Sequence, residues 1–180
     1  MKQVIKFVTV VLAVCLMRVG FAEETFDRYP IGISLLPVRY LEAPSPDSGV
    51  WLFRLNLLAG YNRSMTGFDL GTIGNWAKED VYGLAFAGGY NVCGGEGAGL
   101  QLSCVNFTER GFGGVQMGLV NLTWGISGLQ LGIVNATSEG GGLQIGLVNL
   151  AESFSGFQLG LLNMNQDSPL MMMPILNVWF

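Results

Sequence analysis

The sequence predicts an all-β protein built from a repeat. A closed antiparallel meander barrel of the outer-membrane type is the leading architecture, and a parallel β-solenoid is the alternative. Three observations carry this expectation. An eight-residue phrase recurs from Gly99 to Asn177, apolar and polar side chains alternate within each copy, and the C-terminal half is almost free of charge.

The copies are GLQLSCVN, GVQMGLVN, GLQLGIVN, GLQIGLVN, GFQLGLLN and LMMMPILN. They start at Gly99, Gly114, Gly128, Gly142, Gly156 and Leu170, so the first step is fifteen residues and the next four are fourteen. Within a copy, Leu129, Leu131 and Ile133 alternate with Gln130 and Gly132, the period of a strand with one apolar face. Two glycines per copy at fixed places argue against helix. Segments such as ATSEGG and MNQDSP supply turn chemistry between strands. The repeat apolar face is thus Leu129, Leu131, Ile133, Leu143, Ile145 and Leu147, and its polar face is Gln101, Gln116, Gln130, Gln144 and Gln158.

In chain order, residues 1–22 read as a secretory signal peptide. Lys2 and Lys6 precede an apolar run from Phe7 to Met17, and small residues at Gly20 and Ala22 suit cleavage after Ala22. The run is too short for a spanning helix. Residues 23–49 hold one strand, IGISLLPVRYL, broken at Pro37, and a turn-rich segment EAPSPDSG. Residues 50–180 form the repeat domain, one folding unit with 23–49. Its first copies are looser: VWLFRLNLLAGYN, GFDLGTIGN and VYGLAFAGGYN, whose asparagines Asn62, Asn75 and Asn91 continue the series towards Asn106. The expected total is about ten strands.

Charge and composition narrow the function. The chain carries 9 Lys and Arg against 13 Asp and Glu, a net charge of −4, which argues against nucleic acid as a partner. From Gly111 to Phe180 the ionisable side chains are Glu139, Glu152 and Asp167, all in turns, and a strand region so poor in charge favours a membrane as partner. Histidine is absent, removing the usual general base and a common metal ligand. No catalytic, cofactor-binding or metal-binding residue is assigned. Paired carboxylates such as Glu79 and Asp80 read as exposed, and GGEGAG at 94–99 reads as a hairpin loop because no helix or lysine follows it.

Arg54 and Asp69 occupy comparable places on the polar faces of neighbouring strands. They read as an interior ion pair, either lining a barrel or only neutralising one another. Trp51, Trp76, Trp124 and Trp179 read as an interfacial belt or as packing at strand ends. Cys93 and Cys104 are too far apart to bond in a meander but neighbours in a solenoid.

The repeat is consistent with both architectures. In a solenoid each copy stacks on the one fourteen residues earlier, with leucine inside and glutamine presented outside. In a barrel, strands of about 9–11 residues with odd-length loops keep leucine opposite leucine and facing lipid. The terminal PILNVWF, ending on an aromatic as outer-membrane barrels do, favours the barrel. Three alternating residues nevertheless span only about 13 Å, against the roughly 25 Å of a bacterial barrel.

The phrase also resembles that of the exported bacterial surface repeat-containing proteins, which carry tandem GLQxGLxN units. The matching pieces are FRLNLLAGYN at 53–62, TGFDLGTIGN at 66–75, the phrases from Gly99, and MPILNVWF. The resemblance implies placement in the cell envelope, at the outer membrane or cell surface, and a non-enzymatic role. It implies no ligand and no cofactor. Cys104, where the phrase has Leu, and Trp51-Leu52, where Tyr-Gly is usual, depart from the pattern.

Overall fold

The computed structural model describes residues 27–36 and 41–180. The signal-peptide segment and Pro37 lie outside the described residues.

Short phrases of β-formers separated by glycine bends give fifteen strands and no helix among the described residues. They are β1 (Arg28–Ser34), β2 (Glu42–Ala43), β3 (Gly49–Asn56), β4 (Ala59–Asn62), β5 (Ser64–Gly71), β6 (Gly74–Ala77), β7 (Val81–Ala87) and β8 (Tyr90–Cys93), then β9 (Gly97–Leu102), β10 (Val105–Met117), β11 (Val120–Leu131), β12 (Val134–Ile145), β13 (Val148–Ala151), β14 (Ser155–Asn165) and β15 (Met172–Trp179).

The pairing is parallel from β1 to β14, apart from β2, which lies antiparallel beside β1. Gln116 pairs with Gln130 and Gln130 with Gln144, while Asn121 pairs with Asn135 and Asn135 with Asn149. Each copy therefore stacks on its neighbour as one coil of a β-solenoid, and the barrel expectation is corrected to its alternative. An antiparallel meander would reverse every second copy, whereas here identical glutamines sit side by side from β9 to β14.

The strand count is corrected for the same reason. Each phrase is two short strands, not one. GLQL lies in a first wall, Gly132-Ile133 makes a bend, and VNAT lies in a second wall. The first wall stacks β1, β3, β5, β7, β9, the C-terminal halves of β10 to β12, the start of β14, and β15. The second stacks β4, β6, β8, the N-terminal halves of β10 to β12, β13 and the end of β14.

Coil length varies along the chain. Val50 pairs with Met65, fifteen residues on, and Met65 with Val81, sixteen on. A register shift between Thr108 and Gly111 then absorbs the last extra residue, and steps of fourteen follow from Gly111↔Gly125 onward. The terminal PILNVWF, taken above as a barrel signal, instead folds back antiparallel on β14 as the last rung, with Asn177 opposite Gln158. Phe180 packs edge-on to Phe157 at 5.5 Å between ring centroids.

Two glycines per copy are explained by close approach. Gly99, Gly114, Gly128, Gly142 and Gly156 have φ between 121° and 145°, and a Cβ there would overlap the carbonyl oxygen of the glycine one coil earlier. A Cβ on the second glycine, Gly132, would lie 2.6 Å from the Gly118 oxygen and 2.7 Å from Asn121 Nδ2.

Candidate functional site

The space between the walls is filled by polar side chains. Gln101, Gln116, Gln130, Gln144 and Gln158 are at most 1% exposed. Gln130 Nε2 donates to Gln116 Oε1 at 2.9 Å, Gln144 to Gln130 at 2.7 Å and Gln158 to Gln144 at 2.8 Å. From the second wall, Asn121 Nδ2 donates to Asn135 Oδ1, and Asn135 to Asn149, each at 2.8 Å. Each asparagine also donates to a bend carbonyl, as Asn121 does to Leu131 O at 2.8 Å.

The two ladders point in opposite directions, glutamines towards earlier coils and asparagines towards later ones, so their dipoles oppose. Repeating amides at the spacing of a sheet saturate one another, which removes the penalty of burying them. The solenoid expectation of leucine inside and glutamine displayed is therefore corrected. Glutamine lies inside and leucine outside, because the narrow gap is closed by amide ladders that also bond the bends.

The apolar part of the interior forms two clusters. Phe112, Ile126, Ala151 and Phe154 form one buried cluster, and Val50, Met65, Ala77, Val81, Ala85 and Cys93 another. Phe112 fills the space over Gly97, where a Cβ would meet its ring at 2.7 Å.

At the N-terminal end, Arg54 and Asp69 occupy the glutamine column, through Gly32↔Arg54, Arg54↔Asp69, Asp69↔Ala85 and Ala85↔Gln101. Arg54 Nε donates to Asp69 Oδ1 at 2.7 Å, its Nη2 bonds Oδ2, and its Nη1 bonds Asn62 Oδ1. Both residues are nearly fully buried. Asn62 does not join the asparagine series, because its register partner is Ala77 and the column position is held by Gly60. Asn56 reaches across instead, its Nδ2 donating to Asn75 Oδ1 at 2.6 Å.

Glu42 lies at this end, where its Oε1 accepts from Tyr61 N–H at 2.6 Å and Ser34 Oγ at 3.1 Å while Oε2 is buried without a partner. Burial pushes its carboxyl up to about 7.

What the molecule displays is apolar on three sides. In the first wall two rows face outward, Leu100, Val115, Leu129, Leu143 and Phe157 in one, and Leu102, Met117, Leu131, Ile145 and Leu159 in the other. They extend through Phe68 and Leu84, and through Leu70 and Phe86, to Ile31 and Ile33 at the N-terminal end. The second wall presents Val120, Val134, Val148 and Leu150, all half-buried, while Leu122 and Ala136 between them are buried.

At the bend joining the walls, Leu119, Ile133, Leu147 and Leu161 are 52%, 47%, 51% and 71% exposed. Ile133 and Leu147, read above as part of the strand face, thus form a corner of their own. The signal was present in the sequence: Ile133 and Val134 are consecutive apolar residues, a break in the alternation that marks the change of wall. An open apolar depression of about 290 Å³ lies on the first wall, lined by Leu55, Leu70, Phe86 and Leu102.

The opposite edge carries the charge. Arg63, Lys78, Glu79, Asp80, Glu96, Glu109, Arg110, Glu139, Glu152 and Asp167 all fall in or beside the segments returning from the second wall to the first. Arg63 Nε bonds Glu79 Oε1 at 2.9 Å across that edge.

No three metal-ligating carboxylates or cysteines gather among the described residues. Cys93 and Cys104 are not bonded to one another: Cys93 is buried beside the charged edge in register with Thr108, while Cys104 is exposed at the apolar corner four residues earlier. The solenoid reading that made them neighbours is corrected, because the two lie at opposite ends of the second-wall strand. Burial pushes the Cys93 thiol up to about 12. No protein-family model, curated protein or solved structure matches the chain.

Proposed function

We propose that the protein is an exported, non-enzymatic β-solenoid scaffold of the cell envelope, working through its extended outer surface in adhesion, support or contact with other envelope components. The observation that carries this reading is the closed interior. Five stacked glutamines and their asparagine counterparts leave no room for a substrate between the walls, while the outside presents continuous apolar rows. Solenoids place recognition on such extended faces.

The export signal at 1–22 and the resemblance to surface repeat proteins support an envelope location and a membrane as partner; the acidic net charge weighs against nucleic acid. Fractionation of the producing cells with an antibody to the chain tests the reading. A processed chain in the envelope fraction is the expected result, and an unprocessed chain in the cytosol would overturn it.

A further inference from the structure

We propose that the solenoid seats edge-on in one leaflet of a lipid bilayer, with the corner Leu119, Ile133, Leu147 and Leu161 deepest and the charged edge in water. This rests on the envelope reading and specifies how the scaffold is held there.

Four features point to acyl chains as the occupant. The first is the extent of the apolar surface, which covers the first wall and the corner and continues, half-buried, onto the second wall at Val120, Val134, Val148 and Leu150. A flat protein partner, including a second copy stacked face to face, covers one wall and leaves the corner and the other wall wet. A fluid apolar medium covers all three.

The second is the segregation of charge. Between the buried Arg54–Asp69 pair and the charged edge, no ionisable side chain lies on the outward rows of β5 to β14 except Tyr82 and Tyr90. The third is the placement of aromatics. Trp51, Tyr82 and Trp124 are 47%, 42% and 51% exposed and sit within a few residues of the charged edge, where an interface would lie. The fourth is depth. Some five residues separate Gly128 from the Ile133 corner, about 17 Å at 3.3 Å per residue, roughly half of the ~30 Å hydrocarbon core of a bilayer.

The polar interior is compatible with this seat because its amides bond one another and need no water. The parallel ladders satisfy the backbone of the inner coils. At the C-terminal end Pro174 removes one donor from the outermost strand.

The test uses vesicles of phosphatidylcholine and phosphatidylglycerol. Spin labels are placed at Ile133→Cys and Leu147→Cys, and separately at Glu139→Cys and Glu152→Cys, with Cys15 and Cys104 replaced by Ser. Labels at 133 and 147 should collide with oxygen and be shielded from a water-soluble nickel chelate once vesicles are added, while those at 139 and 152 stay open to the chelate. Chelate access at 133 and 147 with vesicles present would overturn the proposal. Shielding from both reagents would overturn it too, in favour of a protein partner.

The unmodified chain supplies a second measurement. Its tryptophans should be quenched more by lipids brominated near the headgroup than by lipids brominated deep in the chain. Equal or absent quenching sinks the proposal. The double variant Ile133→Glu/Leu147→Glu should lose vesicle binding on the order of tenfold or more, since each leucine-sized side chain buried in hydrocarbon contributes at least that factor. A chain that fractionates with envelopes but fails all three readouts would leave the scaffold function standing and remove only its lipid seat.

Discussion

The coils from β3 to β7 and those from β10 to β14 share one architecture but hold their interiors together differently. In the later coils every rung contributes the same amides, Gln to Gln and Asn to Asn, at a step of fourteen residues from Gly111 onward. In the earlier coils the same columns hold an arginine, an aspartate and an alanine, and an asparagine reaching across from the end of β3, Asn56. Steps there are fifteen or sixteen residues. One extra residue lies in the apolar bend, which runs four residues from Phe86 to Tyr90 but three from Leu102 to Val105, and another at the charged edge between Thr108 and Gly111.

Both solutions bond their buried polar columns, although at the irregular end Asn56 Oδ1 is buried without a partner. The repeated amide does so with one neutral side chain per rung, so adjacent rungs are interchangeable. The ion pair works only as a specific couple. The comparison suggests that coil number is free to vary in the uniform region and constrained in the irregular one.

The largest expected effect breaks the couple. Arg54→Gln strands the buried Asp69 carboxylate and should cost about 3–5 kcal/mol in chemical denaturation. The double variant Arg54→Gln/Asp69→Gln, which rewrites the early column in the chemistry of the later one, should recover most of that loss. If the double variant is as unstable as the single, the two columns are not equivalent.

Next comes the backbone approach that both regions share. Gly128→Ala sets a Cβ on the Gly114 carbonyl at a φ of 145°, and about 3 kcal/mol of stability should be lost. Gly111→Ala, which meets nothing within 4 Å, should be near neutral in the same assay.

Smaller still is one broken rung. Gln130→Leu removes the donor to Gln116 Oε1 and the acceptor of Gln144 Nε2. Each orphaned group costs about 1–3 kcal/mol, partly offset by the buried leucine, so a net loss of about 2 kcal/mol is expected from melting curves.

The smallest effect concerns pH and belongs to the irregular end. The Glu42 carboxyl is raised from 4.5 to about 7, so the folded chain binds a proton that the unfolded chain has released in that window. Its stability contribution is present below about 4.5 and lost as pH rises through about 7. Wild type should therefore lose stability between pH 5 and pH 8 relative to Glu42→Gln, which should be flat across the same range. A parallel pH profile for both proteins would place the titration elsewhere.

Much of this was readable beforehand, and the failures have specific causes. The all-β class and the repeat followed from period-two alternation and from glycine at fixed places. MNQDSP does end in a turn, but ATSEGG, read as a turn, lies inside β12, where the chain passes from one wall to the other without leaving the ladder. The strand count was too low because Gly132-Ile133, taken as strand, is a bend. Asn62 was assigned to the wrong column because spacing alone cannot show that Gly60 holds the position while Asn56 fills it. The cysteines were misplaced because Asn91 and Asn106 are neighbours, yet Cys93 follows one and Cys104 precedes the other, putting them on opposite sides of the pair.

What the chain by itself determined is the unit: a fourteen-residue phrase, its two faces, its glycines and its shortage of charge. Two binary choices belonged to the tertiary structure. Whether neighbouring copies run parallel or antiparallel depends on which residue pairs with which, and an even repeat satisfies either. Which face turns inward is invisible to alternation, since a period of two is unchanged when the faces are exchanged. The stacked coil settles both, because only parallel stacking puts each buried Gln and Asn beside its own copy, and only the inward position lets the asparagines bond the bends.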